Sequence, residues 1–231
     1  MTKKINVKGD IIQNSDKWIY DWLDIEATSP QDINEALVDA NGQDIEVDIN
    51  SGGGDIFAGS EIYTAIRNYK GDKTIKIVGI AASAASVIAM AGKNEITPTG
   101  LFMMHNVHGG FSGDYRDVAH GAEVLKTANQ AIANAYKEKT GLSDEELFKL
   151  MDKETWLSAE DAVKYKFVDG VMFSESKQPS FYNSTGGISP EAIAKIKSQI
   201  KKPDIENNDN EVFLLQAKLN LLKLKGDVEY E

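Results

Sequence analysis

The run GIAASAASVIAMAG, Gly79 to Gly92, is built almost entirely from Gly, Ala and Ser, in a chain whose other segments carry charges every few residues. Side chains this small let a helix approach its neighbours closely, so the run belongs inside a folded domain and not on its surface. It follows the stretch TIKIVGI, Thr74 to Ile80, which reads as a strand. The run is therefore a turn from strand into buried helix, with Ser83 at or near the helix start and Ser86 one turn later. A serine in the first turn meets unpaired N–H groups and the helix dipole, which suits an attacking oxygen and the oxyanion it creates. Taken alone, the run reads more simply as a device for close packing. No G-x-S-x-G elbow is present, which argues against an α/β-hydrolase.

Neighbouring segments supply the frame. KINVKGDII, Lys4 to Ile12, and DIEVDIN, Asp44 to Asn50, alternate as strands, the second with Ile45, Val47 and Ile49 on one side. Between them SPQDINEALVDAN, Ser29 to Asn41, opens on Ser-Pro and places Ile33, Leu37 and Val38 at helical spacing. A second helix is expected from Ala58 to about Asn68 with Ile62, Ala65 and Ile66 inward. Further on come a strand LFMMH, Leu101 to His105, a glycine-rich stretch, and a helical pattern from about Val118 to Lys139 that ends at Gly141. Strands alternating with helices imply an α/β fold with a mainly parallel sheet.

Composition narrows the partners. With 42% apolar and 26% charged residues, the 231-residue chain reads as a soluble globular protein. A net charge of −11 disfavours binding to a phosphate backbone, so no nucleic-acid partner is expected. The absence of Cys removes thiolate nucleophiles and cysteine zinc sites and fits a reducing, cytoplasmic setting. The N-terminal MTKKINVKGDIIQNSDKW has no apolar core of signal-peptide length and no run reaches membrane-span length, so no membrane partner is expected.

Three glycines follow the second strand in INSGGGD, Ile49 to Asp55. Such a loop can bring main-chain N–H groups close to a developing anion, and equally it can be a flexible strand-to-helix turn. A phosphate loop is disfavoured because no Gly-Lys-Ser or Gly-Lys-Thr follows. Only three histidines are available. His105 closes an apolar strand, where open α/β sheets present their sites. His108 and His120 are flanked by glycine or lie in exposed surroundings. Their spacing matches no zinc motif, so neither metal nor cofactor is expected.

In combination these segments resemble the Clp protease proteolytic subunit family, serine peptidases of the ClpP/crotonase fold. The likeness rests on INSGGGD for the family's Asn-Ser-Pro-Gly-Gly loop, GIAASAAS for its nucleophile segment, MMHNVHGG for its histidine segment, and TGLSDEEL with ETWLSAEDAVKYKFVDGV for its C-terminal block. It covers roughly Ile45 to Val171. The resemblance implies repeated β-β-α units and a protruding helix-strand handle around HGGFSGDYRDV. It also implies Ser83 as nucleophile, His105 as general base, and an oxyanion hole from the backbone N–H groups of Gly54 and Ala84. Gly52, Gly53, Gly109 and Gly110 would pair with bound peptide. The acidic member falls at Glu154, where the family has Asp, with Asp152 as the neighbouring alternative and a Ser-His dyad as the third.

The same resemblance implies a homo-oligomeric ring of about seven subunits, stacked as about fourteen, acting on protein substrates, in some members with a ring ATPase. Gly52 in place of proline, Glu154, and a tail beyond the family block resemble the phage and prophage head maturation branch, whose substrates are capsid or scaffold proteins. Housekeeping degradation, a crotonase-like enzyme and an inactive scaffold subunit are the alternatives. The expected domains are a peptidase domain over 1–173, a linker over 174–190, and a helical C-terminal extension over 191–231 with an apolar face through Phe213, Leu214, Ala217, Leu221 and Leu224.

Overall fold

The computed structural model describes residues 2–174, which lie within a compact unit spanning Met1–Glu175. The expected linker beyond Ser174 and the helical extension lie outside the described residues. An eight-stranded sheet organises the unit. Its first half contains β1 (Lys3–Ile11), α1 (Lys17–Trp22), β2 (Ala27–Thr28), α2 (Pro30–Ala40), β3 (Ile45–Gly54) and α3 (Ile56–Asn68). Next come β4 (Lys73–Ala82), α4 (Ala84–Ile88) with a 3-10 turn over Ala89–Ala91, β5 (Lys93–Ile96) and β6 (Leu101–Met104). The second half closes with α5 (Tyr115–Thr140), α6 (Asp144–Asp152), β7 (Thr155–Leu157), α7 (Ala159–Lys164) and β8 (Gly170–Val171). Strand order is β2-β1-β3-β4-β5-β8, all parallel, while β6 leaves this path to pair with β4 and β7.

The core forms on β1, β3 and β4, whose Ile5, Val7, Ile45, Val47, Ile49, Ile75 and Ile77 are buried against α2 and α3. Helix α2 starts where Ser29 accepts from the Asp32 amide and Asp32 returns the contact, a capping box in front of Pro30. Its inner face is Ile33, Leu37 and Ala40, whereas Val38, expected inward, is 76% exposed. In helix α3 Ile62 and Ile66 are buried and Ala65 partly so, as the spacing implies. The small-residue run is buried from Ala81 to Ala91 apart from Ser83. Helix α3 crosses it where Gly59 faces Ala84; a side chain at position 59 would stand 3.0 Å from the Ala84 Cβ. Close approach is thus what the small residues permit.

Strand β4 divides the sheet. Its first half, Thr74–Ile77, pairs with β5, and its second, Ile80–Ala82, pairs with β6. The switch brings the end of β6 beside the end of β4, so residues 83 and 105 emerge together.

Strand β3 runs four residues past its expected end, through all three glycines, because Asp10 and Ile11 of β1 pair with Gly53 and Gly54. Helix α5 begins earlier than expected, since Asp114 accepts from the Arg116 and Asp117 amides and forms a second capping box. It ends at Gly141 in the left-handed conformation, as read. The strand expected in the handle does not form within this chain: Asn106–Asp114 is irregular, having no neighbouring strand to pair with.

Candidate active site

The end of β4 turns into α4 at Ser83. This residue has φ +53° and ψ −124°, a conformation that costs an L-residue about 1–3 kcal/mol. The strain lifts the hydroxyl out of the strand-helix line toward β6. There the Ser83 amide donates to the Met103 carbonyl at 3.1 Å, locking the two strand ends together. His105, one residue beyond β6, places Nε2 2.8 Å from Ser83 Oγ. The two residues expected to cooperate therefore touch.

The hydroxyl proton of Ser83 points at Nε2 only if His105 carries its own proton on Nδ1. That Nδ1–H faces His108 Nε2 at 3.4 Å, a long contact between rings whose centroids are 4.5 Å apart. The His105 imidazole is held below the ordinary histidine pKa, first by burial and then by the charge His108 can carry, while Glu154 pulls the other way. It is thereby kept neutral and able to accept a proton at pH 7.

Glu154 reaches the site through strand register. Strand β7 runs antiparallel to β6 with Met104 opposite Thr155, so the next step places Glu154 opposite His105. The backbone turns sharply at Glu154, φ +50°, between α6 and β7. Its carboxylate favours imidazolium at a distance but makes no hydrogen bond to His105; Oε1 instead accepts from Trp156 Nε1 at 3.4 Å. Asp152, at the end of α6, accepts from Asn106 Nδ2 at 2.8 Å. Neither candidate acid is hydrogen-bonded to the imidazole in this conformation.

A cleft of about 260 Å³ opens over Ser83 and His105, with Gly52, Gly54, Ala84 and Asn106 in its wall. Gly54 has φ +146°, and a side chain there would overlap the Ile11 carbonyl. As the first residue of α4, Ala84 has an N–H with no acceptor inside the helix. The Gly53 N–H is already taken by Ser51 Oγ at 3.1 Å, and Gly53 is not part of this cleft wall. Gly109 and Gly110, expected beside the peptide, are exposed and stand apart from the wall. Ser86 is fully buried below the cleft.

Residues 24–175 match the family model described as Clp protease. The chain belongs to the Clp protease family. This Clp protease is 34% identical over 139 residues to the ATP-dependent Clp protease proteolytic subunit 1 of Chlamydia abortus, covering 58% of this chain and 72% of the relative. Against the corresponding subunit of Deinococcus radiodurans the identity is 32%, over 56% of this chain and 65% of the relative. The fold matches that of a ClpP1 mutant from Listeria monocytogenes with a TM-score of 0.62, covering 74% and 91% of the two chains at 23% identity. As a member of this family the chain is a serine-type endopeptidase.

Two contributors were not legible in the sequence. His108 gave no sign that it would face His105, since three residues beyond a strand its direction depends on the irregular loop. Tyr136 lies fully buried beneath the cleft, its hydroxyl 2.7 Å from Ser86 Oγ, although fifty residues separate the two. Among the described residues no group of three or more His, Cys, Asp or Glu is placed to share a metal ion, and no helix is long and apolar enough to cross a membrane.

Proposed function

We infer that Ser83 is the nucleophile and His105 the general base of peptide-bond hydrolysis; the 2.8 Å contact between Oγ and Nε2 carries this reading. Ser83 Oγ attacks the scissile carbonyl carbon as its proton passes to His105 Nε2. The carbonyl oxygen becomes an oxyanion facing the N–H groups of Gly54 and Ala84. Collapse breaks the C–N bond, and His105 returns the proton to the leaving amine. Water, deprotonated by the same imidazole, then releases the acyl group from Ser83. Glu154 is the acidic member: its register opposite His105 and its electrostatic pull on the imidazole support it over Asp152, which is engaged by Asn106.

The working form is a homo-oligomeric ring, and the substrates are phage capsid or scaffold proteins cleaved during prohead maturation. Glu154 in place of Asp and the chain beyond the family block support that branch. A second reading, ATP-dependent degradation with a ring ATPase, is favoured by the names of the curated relatives.

Labelling with a fluorophosphonate, followed by peptide mapping, tests the chemistry. Modification is expected on Ser83, absent in Ser83→Ala and nearly absent in His105→Ala; modification of Ser86 instead would overturn the assignment.

A further inference from the structure

Beneath the nucleophile lies a hydrogen-bonded chain that the reaction, as derived above, does not use. Ser86 Oγ lies 2.6 Å from the carbonyl oxygen of Ser83 and donates to it. A serine hydroxyl has one proton, so with that proton committed the 2.7 Å contact between Ser86 Oγ and Tyr136 must be donated by the tyrosine. The order is Tyr136 O–H to Ser86 Oγ, then Ser86 O–H to the Ser83 carbonyl. Ser86 is 0% exposed and Tyr136 1%, so water does not compete at either link. Burial pushes the Tyr136 hydroxyl up to about 12, against the pull of its contact with Ser86, and it remains a neutral donor throughout the working pH range.

The accepting carbonyl belongs to the same rigid peptide unit as the Ala84 N–H. In a trans peptide the C=O and N–H lie in one plane and point in opposite directions, so fixing the direction of the oxygen fixes that of the N–H. The Ser83 carbonyl also receives the Ser86 amide at 3.0 Å and the Val87 amide at 3.4 Å. Those contacts come with any helical turn; the hydroxyl is the additional and shortest one. It acts where φ and ψ are unfavourable and the peptide plane would otherwise relax. A hydrogen bond accepted by an amide oxygen also polarises the amide, strengthening its N–H as a donor.

We propose that Tyr136 and Ser86 are positioning residues that orient and polarise the Ser83–Ala84 peptide, so that the Ala84 N–H faces the oxyanion. The proposal rests on Ser83 and the Ala84 N–H holding the roles inferred above. It also ties the nucleophile to α5, the helix that carries Tyr136.

The test compares wild type, Tyr136→Phe, Ser86→Ala and the double variant. For each, kcat and KM on a fluorogenic peptide are measured, together with inhibition by a matching peptide boronate, whose tetrahedral adduct places an oxygen in the hole. Losing an oxyanion donor outright costs about 100- to 1000-fold, so losing its alignment should reduce kcat by about 10-fold, with KM unchanged. Boronate affinity should weaken by the same factor as kcat/KM, a correlation that loosened packing alone would not produce. Because the links act in series, the double variant should be no slower than Ser86→Ala. Unchanged kcat in Tyr136→Phe, or effects that multiply in the double variant, would overturn the proposal. If Ser86→Ala does not fold, Tyr136→Phe alone decides, since it removes one oxygen and keeps the ring. Fluorophosphonate labelling of wild type separates the two levels: failure to modify Ser83 removes the catalytic reading and this proposal with it. Labelling at Ser83 with unaffected variants removes this proposal only.

Discussion

Replacing Gly54 with alanine tests whether the loop is shaped by catalysis as well as by folding. At φ +146° the backbone adopts a conformation that alanine reaches only with strain, about 1–3 kcal/mol. The new methyl would also overlap the Ile11 carbonyl, and relieving such a clash costs typically about 1–3 kcal/mol. Together these give about 4 kcal/mol, equivalent in a domain of this size to a fall of about 8–16 °C in Tm. Relief has to come from separating β3 from β1 at the Ile11–Gly54 pair, which displaces the Gly54 N–H from its place in the cleft wall. The fraction that remains folded should therefore lose about 100- to 1000-fold in kcat. Two neighbours serve as controls. At Gly52 an added methyl meets nothing within 4 Å, so Gly52→Ala should melt like wild type. At Gly53 the methyl would stand 2.6 Å from the Ser83 Cβ, so Gly53→Ala should displace Ser83 itself. Thermal denaturation and active-site titration on the three variants separate stability from chemistry. A Gly54→Ala protein that melts within about 2 °C of wild type and turns over normally would refute the reasoning.

The pH profile and the sheet's far edge give further tests. His105 must be neutral to accept a proton, and its pKa lies below the ordinary 6.5, so the acid limb of kcat/KM should fall below pH 6.5. His108→Leu removes a lowering influence and should move that limb up, whereas Glu154→Gln removes a raising one and should move it down. A Glu154→Gln enzyme with an unmoved limb and full kcat would exclude Glu154 as the acidic member. Asn94, fully buried, donates to the Ala89 and Phe167 carbonyls at 2.9 Å each. Asn94→Ala strands both acceptors and should cost about 2–5 kcal/mol, a fall of about 4–20 °C in Tm; a shift under about 2 °C would contradict this.

What the sequence made legible was periodic or carried by local motifs. Ile45, Val47 and Ile49 announce a buried strand, Ser29 and Pro30 a helix start, and Gly141 a helix end. The end of β3 was hidden because glycine signals a turn, whereas here β1 supplies a partner that holds three glycines extended. Helix α1 left no trace because none of its residues is buried, and an amphipathic pattern exists only where there is a face to bury. Ser83 and His105 were marked by their positions at strand ends. The hydrogen bonds of Asp152 and Tyr136 depend on contacts between distant segments, such as the 50-residue separation of Ser86 from Tyr136, and periodicity does not record these.

The left-handed backbone at Ser83 gives the chain two incompatible preferences at one position. For folding alone glycine is the better residue there, since it adopts φ +53° without a penalty. A Ser83→Gly chain would lose the hydroxyl and, by the measure of the strain, gain about 1–3 kcal/mol of stability. Selection for a long-lived fold and selection for a working nucleophile therefore pull this codon in opposite directions. In a laboratory population screened only for heat resistance, the earliest inactive survivors would be expected to carry glycine at position 83.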